Sequence, residues 1–154
     1  MVGLSFSYKI GEAFYVPISA DENEAKVVLE EFRSVLENES IRKIGQNIKY
    51  DILIMLWYGV KLKGELFDTM LPHYLLDPDT RHNMDVLSEN YLGYTPVSIT
   101  ELIGKKGKGQ GNMRDVEPEV IKEYASEDAD ITLQLQHVFE PMLDQAKADK
   151  LAKE

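Results

Sequence analysis

Apolar side chains alternate with small or polar ones over Val2, Leu4, Phe6, Tyr8 and Ile10, the two-residue period of a strand with one buried face. Gly11-Glu12 predicts a reversal, and Phe14 to Ile18 a second hairpin arm with Pro17 near its end, where a ladder tolerates it. From Asp21 the period lengthens. Ala25, Val28, Leu29, Phe32 and Leu36 share one helical face, and Asp21 followed by Glu24 reads as a helix start. A short strand, Ile41 to Gly45, leads into a helix carrying Ile48, Ile52, Met55 and Leu56, for which Asn47 is the expected cap. An extended piece then reaches Phe67. Asp68 is expected to cap a helix through Met70, Leu71, Tyr74 and Leu75, and Asn83 another through Val86, Leu87 and Tyr91 to Gly93. Residues 94–115 read as a loop containing the glycine- and lysine-rich stretch Gly104 to Gly111. Pro118 suits the first turn of a long helix running to about Glu140, where Pro141 is expected to end or kink it. The tail, about 145–154, is expected to fray. A hairpin followed by alternating helices and strands predicts one α/β domain over residues 1–154.

The composition narrows the chemistry. A chain of 154 residues can bury a sufficient core without metal or disulfide. With no cysteine, a disulfide framework, a thiolate zinc site and a cysteine nucleophile are excluded. A formal net charge of -10 argues against a sequence reader held to nucleic acid by its own basic field. It leaves room for a nuclease, whose metal centre needs clustered carboxylates. No apolar run approaches the roughly 20 residues that span a bilayer, and Met1 to Ser5 lacks a basic flank. The expectation is a soluble, cytoplasmic protein with no membrane partner.

One acidic residue breaks the helical pattern. At 100° per residue, Val120, Ile121, Tyr124, Ile131, Leu135, Val138 and Met142 form an apolar stripe, and Asp128 falls in its middle. Glu123, Glu127 and Asp130 are expected to face solvent. A carboxylate on a buried face must be protonated, paired with a cation or bound to a metal. Tyr124 lies one turn earlier, about 6 Å along the same face. The preceding helices repeat the motif more weakly. Asp51 projects between Met55 and Tyr58 at the edge of an apolar stripe, with Asn47 one turn before it. An amide beside a helix start can hold a phosphate or sugar oxygen, and Asp51 a hard cation. Plainer readings stand beside these: an ion pair for Asp128, dipole complementarity for Asp51, a cap for Asn47, a core hydroxyl for Tyr124 and a solvated loop for the lysines. His73, His82 and His137 have no metal-ligand spacing and read as structural or surface residues.

The strings Gly45-Gln46-Asn47-Ile48-Lys49-Tyr50-Asp51 and Tyr124-Ala125-Ser126-Glu127-Asp128-Ala129-Asp130-Ile131-Thr132-Leu133-Gln134-Leu135 resemble the second and third exonuclease motifs of the proofreading 3′-5′ domain of bacterial DNA polymerase I. Val2 to Phe6, Phe67 to Met70 and Leu102 to Lys105 extend the likeness over nearly the whole chain. The resemblance implies a ribonuclease H-like α/β fold of the DEDDy exonuclease type, a mixed sheet flanked by helices. It further implies removal of mismatched nucleotides from single-stranded DNA 3′ ends by two divalent ions, Mg²⁺, Mn²⁺ or Zn²⁺, about 3.5 to 4 Å apart. Carried over, Asp128 and Asp51 would bind metal, Tyr124 would orient the attacking water and Asn47 would hold the terminal nucleotide. Gln46, Lys49, Lys105 and Lys106 join the expected DNA contacts, and a polymerase domain of the same parent chain is an expected partner.

The first motif of that family, an Asp-x-Glu on the opening central strand, has no counterpart here. The expectation is therefore an N-terminally incomplete piece in which this strand is missing, with two of four metal carboxylates absent and feeble activity on its own. Unpaired strand edges are then expected to favour oligomerisation. Two other readings stay open: a non-catalytic module bracing a polymerase domain, and a stand-alone ribonuclease D-like RNA exonuclease.

Overall fold

The structure, a computed structural model, describes residues 1–146. Strand β1 (Gly3–Lys9) pairs antiparallel with β2 (Glu12–Pro17), Phe6 opposite Phe14 and Gly3 opposite Pro17. The turn falls on Ile10 and Gly11, with Gly11 at φ +81°, one residue earlier than the sequence pattern predicts. Helix α1 (Glu22–Leu36) starts as expected: the Asp21 carboxylate accepts the backbone N–H groups of Asn23 and Glu24 at 2.9 and 3.0 Å. Glu24 does not complete a capping box; its carboxylate accepts instead from the Ser19 hydroxyl at 2.6 Å. The buried face of α1 (Ala25, Leu29, Leu36) closes on Leu4 and Ile18 of the hairpin region and on Met55 and Val60, forming a first core.

Strand β3 (Lys43–Gly45) runs parallel to β4 (Leu66–Asp68), Ile44 beside Phe67 and Gly45 beside Asp68. It is shorter than the predicted Ile41 to Gly45 because Ile41 belongs to a turn, its N–H donating to the Asn38 carbonyl. Between the two strands lies α2 (Ile48–Trp57), apolar on most sides. Ile48 and Met55 are buried, whereas Tyr50, Leu53, Leu56 and Trp57 face outward, Trp57 with 74% of its surface exposed. Leu56, expected inside, is outside because the inward direction is set by Ile48 and Met55.

In α3 (Met70–Leu76) the buried residues are Pro72 and His73, while Leu71, Tyr74 and Leu75, which the apolar pattern placed inward, are exposed. The His73 ring decides the orientation: it sits edge-on to Tyr91, centroids 5.4 Å apart, and 5.9 Å from Phe139. Helix α4 (Met84–Leu92) ends at Gly93 in the left-handed region, as predicted. The stretch read as a loop contains a short helix, α5 (Ile99–Ile103), capped by Ser98, and a 3-10 turn, Met113–Asp115. Helix α6 (Pro118–Ala146) does not stop at Pro141. The helix continues because Met142 and Leu143 lie in the second core with Phe67, Leu87, Ile131, Leu135 and Phe139. Gln145 and Ala146 remain helical, and the rest of the tail expected to fray lies outside the described residues.

Both pairings of a mixed sheet are present, as two two-stranded ladders that share no hydrogen bonds among the described residues. Helix α6 bridges them, packing on β1 and β2 and also on β3, α3 and α4. Polar clasps reinforce the bridge. The Gly11 N–H donates to Asp130 at 2.7 Å, and Arg42 pairs with Glu140 at 2.7 Å. Arg114 donates to the carbonyl oxygens of Ile18 and Met1. Among the described residues no helix is long and apolar enough to cross a membrane.

Candidate functional site

The parallel strands β3 and β4 end side by side, and at that end polar groups converge, the usual place for a site in an α/β fold. Gly45 is required there: a Cβ on it would lie 2.8 Å from the Ile48 side chain, so only glycine lets α2 fold back so tightly. Two residues on, Asn47 adopts φ +58°, ψ +47°, the one non-glycine residue with positive φ among those described. Such a conformation is uncommon and favours Asn. Asn47 does not cap α2 with its side chain. The cap comes from Asp68 instead, whose two carboxylate oxygens accept the N–H groups of Asn47 and Ile48 at 2.9 and 3.0 Å. The helix start expected to offer free N–H groups to a phosphate is therefore occupied by a carboxylate. Asp68 also accepts from Met70 N–H at 2.9 Å, so it serves the start of α3 as expected, although Thr69 and not Asp68 holds the cap position.

Gln46 is engaged within the fold at both ends of its amide: its Nε2 donates to the His82 carbonyl at 2.8 Å, and its Oε1 accepts from the Thr69 hydroxyl. Thr69 is fully buried and its N–H donates to the Gly45 carbonyl at 2.8 Å, tying the two strand ends together. Lys49, by contrast, is exposed.

Asp51 keeps a side open to solvent. The atoms packed around its carboxyl, and then the negative charge of Asp68, still push its pKa up to about 6. Asp128 is half-buried, and its pKa is also pushed up to about 6, chiefly by burial. The Tyr124 hydroxyl, one turn earlier, acts in the opposite direction by donating toward the carboxyl, while Glu127 and Asp85 add repulsion. Tyr124 itself is held above the ordinary phenol range by burial and by the charge of Asp128, so it stays protonated at neutral pH. The expected convergence of phenol and carboxylate is thus present. Among the described residues no ion pair involves Asp128 or Asp51.

The two carboxyls lie in separate acidic neighbourhoods, Asp51 with Asp68 and Asp128 with Glu127 and Asp85. Among the described residues no group of three or more His, Cys, Asp or Glu side chains is arranged to hold a metal ion. Asp68 and Asp85 were not singled out as site residues in the sequence. Asp68 carried one usable signal, its place at the end of a parallel strand; Asp85, in the first turn of α4, looks locally like any surface acid. The neighbours of Asp128 are not all solvated as predicted. Asp130 holds Gly11, and Glu127 accepts from the Tyr94 hydroxyl and from Val97 N–H at 3.0 Å. Val120, placed on the apolar stripe, is 42% exposed.

Lys105 and Lys106 are exposed on the loop that follows α5. His73 and His82 form a buried pair, Nδ1 to Nδ1 at 2.5 Å, and His137 is bonded to the Leu133 carbonyl at 2.8 Å. A cavity of about 270 Å³ lined by Leu92, Tyr94, Glu127, Asp130, Ile131 and Gln134 contains neither Asp128 nor Asp51.

A hairpin and a parallel strand pair bridged by one long helix, with a Tyr-x-x-x-Asp pair on that helix, define a ribonuclease H-like exonuclease fold. The solved structure of Brucella melitensis NrnC with bound Mg²⁺ superposes with a TM-score of 0.73 at 20% identity, over 98% of this chain and 68% of that one. The sequence model of the 3′-5′ exonuclease matches residues 1–144, and the chain belongs to that family. DNA polymerase I of Borreliella burgdorferi is 33% identical over 100% of this chain and 17% of its own length. DNA polymerase I of Pseudomonas aeruginosa is 38% identical over 88% of this chain and 16% of its own. The resemblance to the polymerase I exonuclease domain read from the motifs is borne out, and the chain spans about a sixth of these relatives.

Proposed function

We propose that the chain is the proofreading exonuclease module of a DNA polymerase, removing nucleotides from the 3′ end of single-stranded DNA with two divalent ions, Mg²⁺, Mn²⁺ or Zn²⁺. The observation that carries this reading is Asp128: a half-buried carboxylate with a raised pKa, no cation paired with it among the described residues, and a phenol donor one turn away. A structural acid would be expected to have a counter-charge or full solvation.

The donor type suits the ions, although among the described residues it comes as single carboxylates with their acidic neighbours and not as a cluster of three or more. Asp51 and Asp128 offer hard oxygen ligands, and Mg²⁺ characteristically takes one or two carboxylates together with water and substrate phosphate oxygens. Bound there, the ions would activate water and stabilise the charge of the displaced oxygen. The chain's own residues do the rest. Tyr124 retains its proton and cannot serve as the base; with that proton directed at the Asp128 carboxyl, its oxygen orients a water molecule as an acceptor. The Asn47 amide, solvent-facing at the start of α2, is placed to hold the terminal nucleotide. Lys49, Lys105 and Lys106 supply exposed positive charge for the phosphate backbone of a protein that is otherwise strongly acidic.

Titration with Mn²⁺ tests the assignment, because the paramagnetic ion should broaden the NMR signals around Asp128 and Asp51. In Asp128→Asn the broadening at position 128 should be lost. Release of 3′-terminal mononucleotide by the chain should be slow, because few ligands hold the ions; it should also be abolished by EDTA and absent in Asp128→Asn. Unchanged release in that variant would remove Asp128 from the site.

A further inference from the structure

We propose that Asp68 is a positioning residue of the nucleotide-binding turn, acting through Asn47; this rests on the reading that Asn47 holds the terminal nucleotide. The geometry is a three-way clamp. One carboxylate oxygen of Asp68 accepts from both Asn47 N–H and Met70 N–H at 2.9 Å, and the other from Ile48 N–H at 3.0 Å. A single side chain at the end of β4 thus joins the first residues of α2 to the start of α3, elements about twenty residues apart in sequence.

Two consequences follow from elementary chemistry. First, the clamp fixes Asn47 at φ +58°, a conformation that costs free energy in a non-glycine residue and persists where its surroundings impose it. The Asn47 side chain makes no capping bond and is exposed, so it is left to face a ligand. Second, the carboxylate takes two of the N–H groups at this helix start, those of Asn47 and Ile48, and sets its own negative charge beside them. A phosphate is thereby disfavoured at the α2 N-terminus, and the contact made by Asn47 is directed to the neutral sugar or base of the last nucleotide. Gln46 beside it is locked by Thr69 and the His82 carbonyl, which leaves Asn47 as the free amide of the turn.

The test uses the 154-residue chain, amide hydrogen exchange by NMR, and calorimetric titration with a short single-stranded oligothymidylate in the presence of Mn²⁺. In the unaltered protein the amides of Asn47, Ile48 and Met70 should be protected and shifted downfield, as donors to a carboxylate are. In Asp68→Asn one acceptor oxygen becomes an NH2 donor, so the Ile48 amide should lose protection outright and that of Asn47 and Met70 should weaken with the loss of charge. Oligonucleotide affinity should fall about tenfold, the order expected when a charge-assisted hydrogen bond is removed. Asn47→Ala should fall by a similar factor, and the double variant no further than the worse single one. Asp68→Glu keeps the charge but moves it by a methylene, and supplies the same reading if Asp68→Asn does not fold. Three results would overturn the proposal: protection unchanged in Asp68→Asn, affinity unchanged in Asp68→Asn, or penalties that multiply in the double variant. Failure of the unaltered chain to bind the oligonucleotide would overturn the nucleotide-holding reading of Asn47 itself, a distinct outcome.

Discussion

Asp128 stabilises nothing by being charged where it is, and that has a measurable sign. Its carboxyl titrates at about 6 in the fold against an ordinary value of 3.8. Between those values the folded protein binds more protons at this group than the unfolded chain does. The contribution of Asp128 therefore lowers stability as pH rises from about 4 to about 6, and the penalty is fully present above that window. Asp128→Asn should raise the urea midpoint at pH 7 and remove this part of the slope between pH 4 and 6, measured as the difference from the unaltered protein. An identical pH profile in the two proteins would show that the carboxyl is not desolvated. The placement of this residue was legible from sequence because helical periodicity alone puts position 128 on the apolar face. Asp68 was half legible. Its local partner Met70 is two residues away and was anticipated, but its bonds to Asn47 and Ile48 cross from one strand end to another and leave no periodic trace.

The helices answer to their contacts as much as to their propensities. Pro141 within α6 lacks the N–H that would bond back one turn, yet Leu143 is 1% exposed and the helix persists for the sake of that burial. Pro141→Ala should restore the missing bond at an exposed position and stabilise the protein by about 1–3 kcal/mol, read from denaturant unfolding; no gain would mean the ring itself packs usefully. The α3–α4 junction has the opposite pH sign to Asp128. Burial, and then His82, depress the pKa of His73 below 6.5, so the unfolded chain takes up that proton first and stability is lost as pH falls from about 6.5. Protection factors of the amides in α3 and α4 should fall on acidification through that range, and His73 should titrate below an ordinary histidine in its imidazole NMR signals. The inward face of α3 was misread from sequence because Leu71, Tyr74 and Leu75 are the more apolar set. A histidine paired with a histidine and seated on Tyr91 and Phe139 won the position by shape and hydrogen bonding.

At the scale of the molecule, α6 is the common wall of two ladders and two cores. Phe139 is fully buried, and Phe139→Ala should cost about 3–5 kcal/mol. Because α6 joins the ladders, that loss should appear as one cooperative transition, with hairpin and β3 amides opening together. Separate transitions for the two ladders would break the link. The α/β class and most helix starts could be read in advance because hydrophobic period and caps are local. Strand lengths and the division into two ladders could not, since they depend on which backbone edges find partners. The family could be read from two short strings, because each gathers its distinctive polar residues into a few consecutive positions of one helix or helix start.

The single tryptophan, Trp57, stands 74% exposed on the outer face of α2, the helix that Asn47 introduces and that carries Asp51. Its intrinsic emission should already be close to that of indole in water in the native state, so the usual red shift on denaturation should be nearly absent. The same accident makes the ring a lamp beside the door: a bound strand that reaches along α2 should quench it while the core stays silent.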